Sequence, residues 1–250
     1  MTSGANFLQA TLSSMLQDPG HPRLTWYGGD FERIELSGAV LGNWVNKTTN
    51  LLCEEFDCEP GRTLLVDLPP HWRLLTWSLA VLRAGGRLTL EPTREPDVII
   101  TDTPDTFSDA RELIVVTLAA LARRYPGELP PGAVDAAGAV MTYGDSLGFV
   151  PPTDVSQCAV TTTDGHITYA QLPDWVRSAT EDTGDRTLLR VASDSVESRV
   201  SVLQHAVGVW SHGGSVVLFG PEMTGEIADD SARLQRIIES EKITTVIDIP

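Results

Sequence analysis

Lysine is scarce in this sequence: Lys47 and Lys242 stand against sixteen arginines. A chemistry that needs a lysine therefore has two places to find one. Cysteine is scarce too. Cys53, Cys58 and Cys158 are an odd, sparse set, which excludes a disulfide framework and points to a reducing compartment. The Cys53-x4-Cys58 pair has no second Cys/His pair to complete a zinc site, so buried apolar thiols are expected and no metal. Positive charge is short overall. The net charge of −16 and the pI near 4.6 exclude a nucleic-acid or anionic-membrane surface, because both partners are polyanions. No apolar run approaches the ~18 residues of a membrane span. The first residues, MTSGANFLQATLSSML, have no basic segment and no continuous apolar core, so a secretory leader is not expected. Asn46-Lys47-Thr48 fits the glycosylation pattern but would need a secreted chain. A cytoplasmic location is the expectation.

What is present is globular: 42% apolar residues, 21% charged residues and a mean hydropathy of −0.04 over 250 residues. Phe7, Leu8, Leu12, Met15 and Leu16 recur at helical spacing, which predicts an amphipathic N-terminal helix. From Asp57 onward, short apolar runs alternate with helical patterns. Thr63–Leu68 reads as a buried strand, Pro70–Ala84 as a helix, and Gly85-Gly86 as its stop. Arg87–Leu90, Asp97–Thr101 and Leu113–Leu118 read as further strands. Strand–helix–strand alternation means parallel pairing through right-handed crossovers.

Residues 125–153 are dense in Pro and Gly and read as a long ordered connection, with Val134, Val140, Met141, Phe149 and Val150 seeking burial. Then the pattern begins again. Cys158–Thr161, Thr187–Ala192, Ser215–Phe219 and Thr244–Ile249 read as strands. Tyr169–Thr180, Ser195–Ser211 and Ser231–Glu241 read as helices. Leu24-Thr25-Trp26-Tyr27 has an echo in Ile167-Thr168-Tyr169. Gly61-Arg62-Thr63-Leu64-Leu65 has one in Asp185-Arg186-Thr187-Leu188-Leu189, and Gly85-Gly86 recurs as Gly213-Gly214. The expected fold is α/β with two pseudo-symmetric parallel-sheet lobes, 1–124 and 154–250, joined by 125–153.

Catalytic constellations are thin. There is no G-x-S-x-G elbow, and Ser146 in Gly144-Asp145-Ser146-Leu147-Gly148 lacks a strand–turn–helix setting. His205 and His212 could share a helix face, but no acid completes a metal set, so core or capping roles are expected. Dinucleotide and Walker loops are absent. Six tryptophans read first as core, with a ligand-stacking platform as the alternative. The best candidate site is Thr161-Thr162-Thr163-Asp164-Gly165, hydroxyls and a glycine after a strand. Such a segment can cradle phosphate through N–H and O–H donors. No Lys or Arg accompanies it, and Asp164 would repel the anion, so an ordinary polar turn is the competing reading.

Leu24-Thr25-Trp26, the helix around Asn43–Leu52, Pro60–Pro69 and Trp77–Gly86 resemble the opening of the AMP-binding, adenylate-forming enzymes. The second half, through Gly213-Gly214 and Ile243–Pro250, resembles their second subdomain. The whole also resembles a short actinobacterial family distantly similar to that superfamily. The resemblance implies an acetyl-CoA synthetase-like N-terminal region. It also implies that Thr161–Thr168 corresponds to the phosphate loop T-S-G-T-T-G-x-P-K, here without Pro-Lys. Tyr143-Gly144-Asp145-Ser146 precedes that stretch, the wrong order for the family's Y-G-x-T-E motif, and the lid with its catalytic lysine has no counterpart. A cut-down relative that has lost adenylation is expected, with no catalytic residue, metal or obligate cofactor. Three functions stand beside one another. One is a non-catalytic binding or regulatory protein with an unidentified protein partner. The second is a residual binder of ATP, AMP, CoA or an acyl ligand between the lobes. The third is an enzyme of unrecognised chemistry. A homo-oligomer is left open.

Overall fold

The computed structural model describes residues 4–29, 32–92, 95–180 and 184–250. In chain order the elements are α1 (Gly4–Met15), β1 (Pro22–Tyr27), β2 (Arg33–Ser37), α2 (Gly38–Glu55), β3 (Thr63–Asp67), α3 (Trp72–Arg83), β4 (Arg87–Thr89), β5 (Val98–Thr101), β6 (Leu113–Val115), β7 (Val134–Asp135) and α4 (Ala136–Ala139). They continue with β8 (Cys158–Thr162), β9 (Gly165–Thr168), α5 (Leu172–Arg177), β10 (Arg186–Val191), α6 (Val196–Ser211), β11 (Ser215–Phe219), α7 (Pro221–Ile227), α8 (Ser231–Ser240) and β12 (Thr245–Ile249). Local chemistry explains several boundaries. The Ser195 hydroxyl caps α6 by accepting from the Ser198 amide, and Asp230 caps α8 by accepting from the Arg233 amide. Gly85 and Gly213, at φ +85° and +78°, take the left-handed conformation that ends α3 and α6. Helix α3 is apolar on nearly every side and is buried along almost its whole length.

Contacts divide the chain into two compact units that interleave along the sequence. One includes Asn43–Leu68 and Thr76–Leu172, the other Asn6–Gly42, Pro69–Leu75 and Pro173–Pro250. Residues 125–153, expected between lobes, fall within the first unit. The first unit holds a seven-stranded sheet, ordered β7-β6-β5-β3-β4-β8-β9. The second holds a five-stranded sheet, ordered β12-β10-β11-β1-β2. Neighbours are parallel except β8/β9 and β1/β2. Five strands of the first sheet, β5-β3-β4-β8-β9, match the second sheet strand for strand, so the pseudo-symmetry is real. The unexpected feature is where the hairpins go. The β1–β2 hairpin precedes β3 in sequence but joins β11, and β8–β9 precedes β10 but joins β4.

That topology corrects one echo. Leu24-Thr25-Trp26-Tyr27 lies on β1, whereas Ile167-Thr168 lies on β9, the other strand of its hairpin. The counterpart of Ile167-Thr168-Tyr169 is Leu36-Ser37-Gly38. The amides of Gly38 and Ala39 donate to the carbonyls of His21 and Pro19 at 3.0 and 2.9 Å, as those of Tyr169 and Ala170 donate to Gln157 and Val155 at 3.0 and 2.9 Å.

Leu8, Leu12 and Met15 bury the apolar stripe of α1, as the spacing predicts, but Leu16 is about half exposed. Segment 125–153 is pinned rather than slack. The Asn50 side chain donates to the Ser146 carbonyl (2.9 Å) and accepts from the Gly148 amide (2.8 Å), and Lys47 pairs with Asp145 at 2.9 Å. Val140 is buried, but Met141 and Phe149 are 59% and 80% exposed, contrary to expectation. The polar backbone of this segment takes the α2 contacts and turns those two side chains outward.

Candidate functional site

Thr161-Thr162-Thr163-Asp164-Gly165 forms the tip of a tight hairpin. Thr161 and Thr162 end β8, Gly165 begins β9, and only Thr163-Asp164 forms the turn. Gly165 pairs with Thr162 at φ +141°, a conformation nearly reserved for glycine, and the Thr162 hydroxyl donates to the Gly165 carbonyl at 3.2 Å. Asp164 is exposed and makes no hydrogen bond or ion pair among the described residues. The hydroxyl, not this carboxylate, closes the turn. The five predicted residues are therefore together in space, but a two-residue turn leaves few free amides, and no cation lies on it.

A second cluster lies in the five-stranded unit, around Glu241. This residue follows α8, the end of a helix where a carboxylate opposes the dipole, and it is 8% exposed. Tyr27 of β1 donates its hydroxyl to Glu241 Oε1 at 2.6 Å, and Arg33 of β2 donates Nε to the same oxygen at 2.9 Å. Arg186 of β10 pairs with Oε2 and also donates to the Thr25 hydroxyl at 3.1 Å. Arg33 reaches Glu35 as well, at 2.6 Å. Burial would raise the Glu241 pKa, but these donors outweigh it and hold the carboxyl below the usual range. Burial and the Glu241 carboxylate push Tyr27 up to about 12. Tyr27 and Arg33 also line a cavity of about 320 Å³ with Arg233, Arg236, Ile237 and Ser240. Sequence reading missed this cluster. Its one local signal was an acid at the end of an amphipathic helix where a base is usual.

A third polar group is buried near the carboxyl end of β1. The His71 ring meets Trp26 edge-on at 4.1 Å, and its Nδ1 accepts the Arg73 amide at 3.1 Å. Burial first, and the Arg73 charge second, lower the His71 pKa to about 3. The neutral ring is thus fixed as an acceptor at Nδ1. Arg73 lies 4.0 Å from the Trp72 ring centroid. Trp26, Trp72, Trp77 and Trp210 are core residues, and Trp44 and Trp175 are half-buried on α2 and α5. His205 and His212 interact with the Ser201 and Gly208 carbonyls of α6, at 2.8 and 3.0 Å. Cys53, Cys58 and Cys158 are free thiols, and burial raises Cys53 and Cys58 to about 11 and 12. Among the described residues no His/Cys/Asp/Glu group is arranged to hold a metal, and no helix is long and apolar enough to cross a membrane.

Two mostly parallel sheets of matching strand order define an α/β protein with the fold of the N-terminal part of adenylate-forming enzymes. Solved structures bear this out. Amide bond synthetase McbA from Marinactinospora thermotolerans superposes with a TM-score of 0.65 at 16% identity, over 97% of this chain and 48% of that one. The fatty acyl-adenylate ligase from L. pneumophila gives 0.65 at 13% identity, over 98% and 44%. The chain thus spans about half the length of those enzymes. No protein-family model matches it. A Mycobacterium tuberculosis (strain ATCC 25618 / H37Rv) protein described as "TIGR03089 family protein" is 30% identical over 263 residues, covering 99% of this chain and all of that one. The chain belongs to the TIGR03089 family.

Proposed function

We propose that this chain is a non-catalytic binding or regulatory protein that reuses the adenylate-forming scaffold without adenylation. The two-residue turn Thr163-Asp164 carries this reading. Attack on an α-phosphate spreads negative charge over the phosphoryl oxygens, which donors and cations must meet. A carboxylate ~4 Å from such a charge opposes it by up to about 4 kcal/mol near a protein surface. A neutral hydroxyl hydrogen bond returns a net ~1 kcal/mol. Three threonines therefore struggle against Asp164 alone. Of the two lysines, Lys47 is held by Asp145. The free thiols support a reducing, cytoplasmic location.

The test is carboxylate-dependent exchange of pyrophosphate into ATP over a panel of short and long acids, with calorimetric titration of ATP, AMP and CoA. Neither exchange nor micromolar binding is expected. Exchange that disappears in Thr162→Ala would overturn the reading. Micromolar binding without exchange would favour a residual nucleotide, CoA or acyl-ligand binder.

A further inference from the structure

The chain carries a net charge of −16, yet three guanidiniums line the cavity of about 320 Å³ in the five-stranded unit. Two elements supply them: Arg33 on β2, and Arg233 and Arg236 three residues apart on α8. Ile237 and the Tyr27 ring add apolar wall, and Ser240 adds a hydroxyl. The wall is built in advance of any ligand. Arg33 is tied to Glu241, Glu35 and the Tyr27 oxygen, and Tyr27 is tied to Glu241. Arg233 is mostly buried and faces Glu226 at 3.7 Å. Arg236 differs, being exposed at the cavity and making no hydrogen bond or ion pair among the described residues.

The arginines at the cavity differ in how they are paired. Glu35, Glu226 and Glu241 are the carboxylates bonded to this group, against Arg33, Arg186, Arg233 and Arg236. Asp230 and Glu239 keep their charge but are bonded elsewhere, to the Arg233 amide and to Gln235. Arg33, Arg186 and Arg233 are each held by at least one of these carboxylates, whereas Arg236 has no ion pair among the described residues and keeps its donors for a ligand. A guanidinium presents a planar fork of donors suited to two oxygens of one anionic group. The volume is at the small end of ligand sites, which run from about 300 to 1,000 Å³. A polyanion would meet the repulsion of the whole acidic chain.

We propose that this cavity binds a small organic anion, one oxyanion head on a short apolar body. Arg236 takes the head, flanked by Arg33 and Arg233, while Ile237 and the Tyr27 ring take the body. The proposal does not depend on the loss of adenylation, since pyrophosphate exchange and this binding are separate measurements.

The experiment is titration of the isotope-labelled full chain with benzoate, phenyl phosphate, acetate and inorganic phosphate at constant ionic strength. Arginine Nε–Hε resonances and calorimetry provide the readouts. Benzoate or phenyl phosphate should saturate with a Kd of about 1 mM or below. Shifts should be confined to Arg33, Arg233 and Arg236. The preferred member of the pair tells a carboxylate head from a phosphoryl one. Acetate and inorganic phosphate should bind at least about tenfold more weakly, since they lack the apolar body. Arg236→Gln should weaken binding about tenfold without changing the melting temperature. Arg177→Gln, an exposed arginine of α5 paired with Asp174, should change nothing. Failure to saturate, shifts spread over all the arginines, equal binding of acetate and benzoate, or unchanged binding in Arg236→Gln would each overturn the proposal.

Discussion

Gly38 and Tyr169 occupy the same position in the two halves of the pseudo-symmetry, yet one has no side chain and the other is among the largest buried ones. The Tyr169 hydroxyl reaches the end of α3, 2.7 Å from the Gly86 carbonyl and 3.0 Å from that of Leu82. At Gly38 a Cβ would meet the Met15 carbonyl oxygen at 2.1 Å, so the backbone of α1 occupies that space. Arg23 serves the second half instead. Its side chain runs beside Gly38, and its guanidinium bonds the Gly213 carbonyl after α6.

These two caps give the first prediction. Tyr169→Phe removes one buried donor and should cost about 1–2 kcal/mol. Arg23→Met keeps the stem but leaves the Gly213 carbonyl unmet, and should cost about 1–3 kcal/mol. Denaturant titration of both variants checks this. A change below about 0.5 kcal/mol in either would show that water replaces the cap.

His71 should make the protein acid-sensitive well above the carboxylate range. Its folded pKa, about 3, lies below the ordinary 6.5, so the unfolded chain binds the proton first. The stability it contributes is complete above pH ~6.5 and falls by up to about 1.4 kcal/mol per pH unit on acidification towards the folded pKa. His71→Asn can accept the Arg73 amide without titrating. Its melting temperature should therefore be flatter than that of the wild type between pH 6.5 and 5.

Glu241 should act at lower pH with the same sign. Its folded pKa is depressed, so its contribution is present above the ordinary glutamate value of 4.5 and is lost as pH falls through the folded value. Glu241→Gln leaves Arg33 and Arg186 facing a neutral amide, and should cost about 3 kcal/mol at pH 7. The deficit relative to wild type should shrink below pH ~4.5 in paired melts. A constant deficit would assign the loss to packing.

The hairpin tip separates two roles by mutation. Gly165→Val forces a β-branched residue to φ +141° and should cost about 1–3 kcal/mol. Asp164→Asn alters an exposed side chain with no partner among the described residues, and should stay within about 0.5 kcal/mol. Neither variant should gain calorimetrically detectable ATP binding. Micromolar affinity in Asp164→Asn would show that the tip keeps a phosphate cradle held off by one charge.

The sequence by itself determined the fold class and the repeated strand–helix–stop units. Thr63–Asp67, Trp72–Arg83 and the Gly85-Gly86 stop, repeated in Arg186–Val191, Val196–Ser211 and Gly213-Gly214, follow from local apolar periodicity and from glycine's freedom at positive φ. The fate of Thr161–Gly165 was half legible. Its hydroxyls and glycine suited either a cradle or a turn, and only the β8–β9 pairing of Thr162 with Gly165 showed that the segment is a hairpin tip with a two-residue turn. Tertiary structure alone decided that each hairpin would join strands distant in sequence. It alone brought Glu241 to Tyr27 and Arg33, more than 200 positions away. The physical reason is range. Helix stops and turn preferences act within a few residues, whereas strand neighbours and buried ion pairs are selected by which surfaces exclude water together, and no local pattern records that.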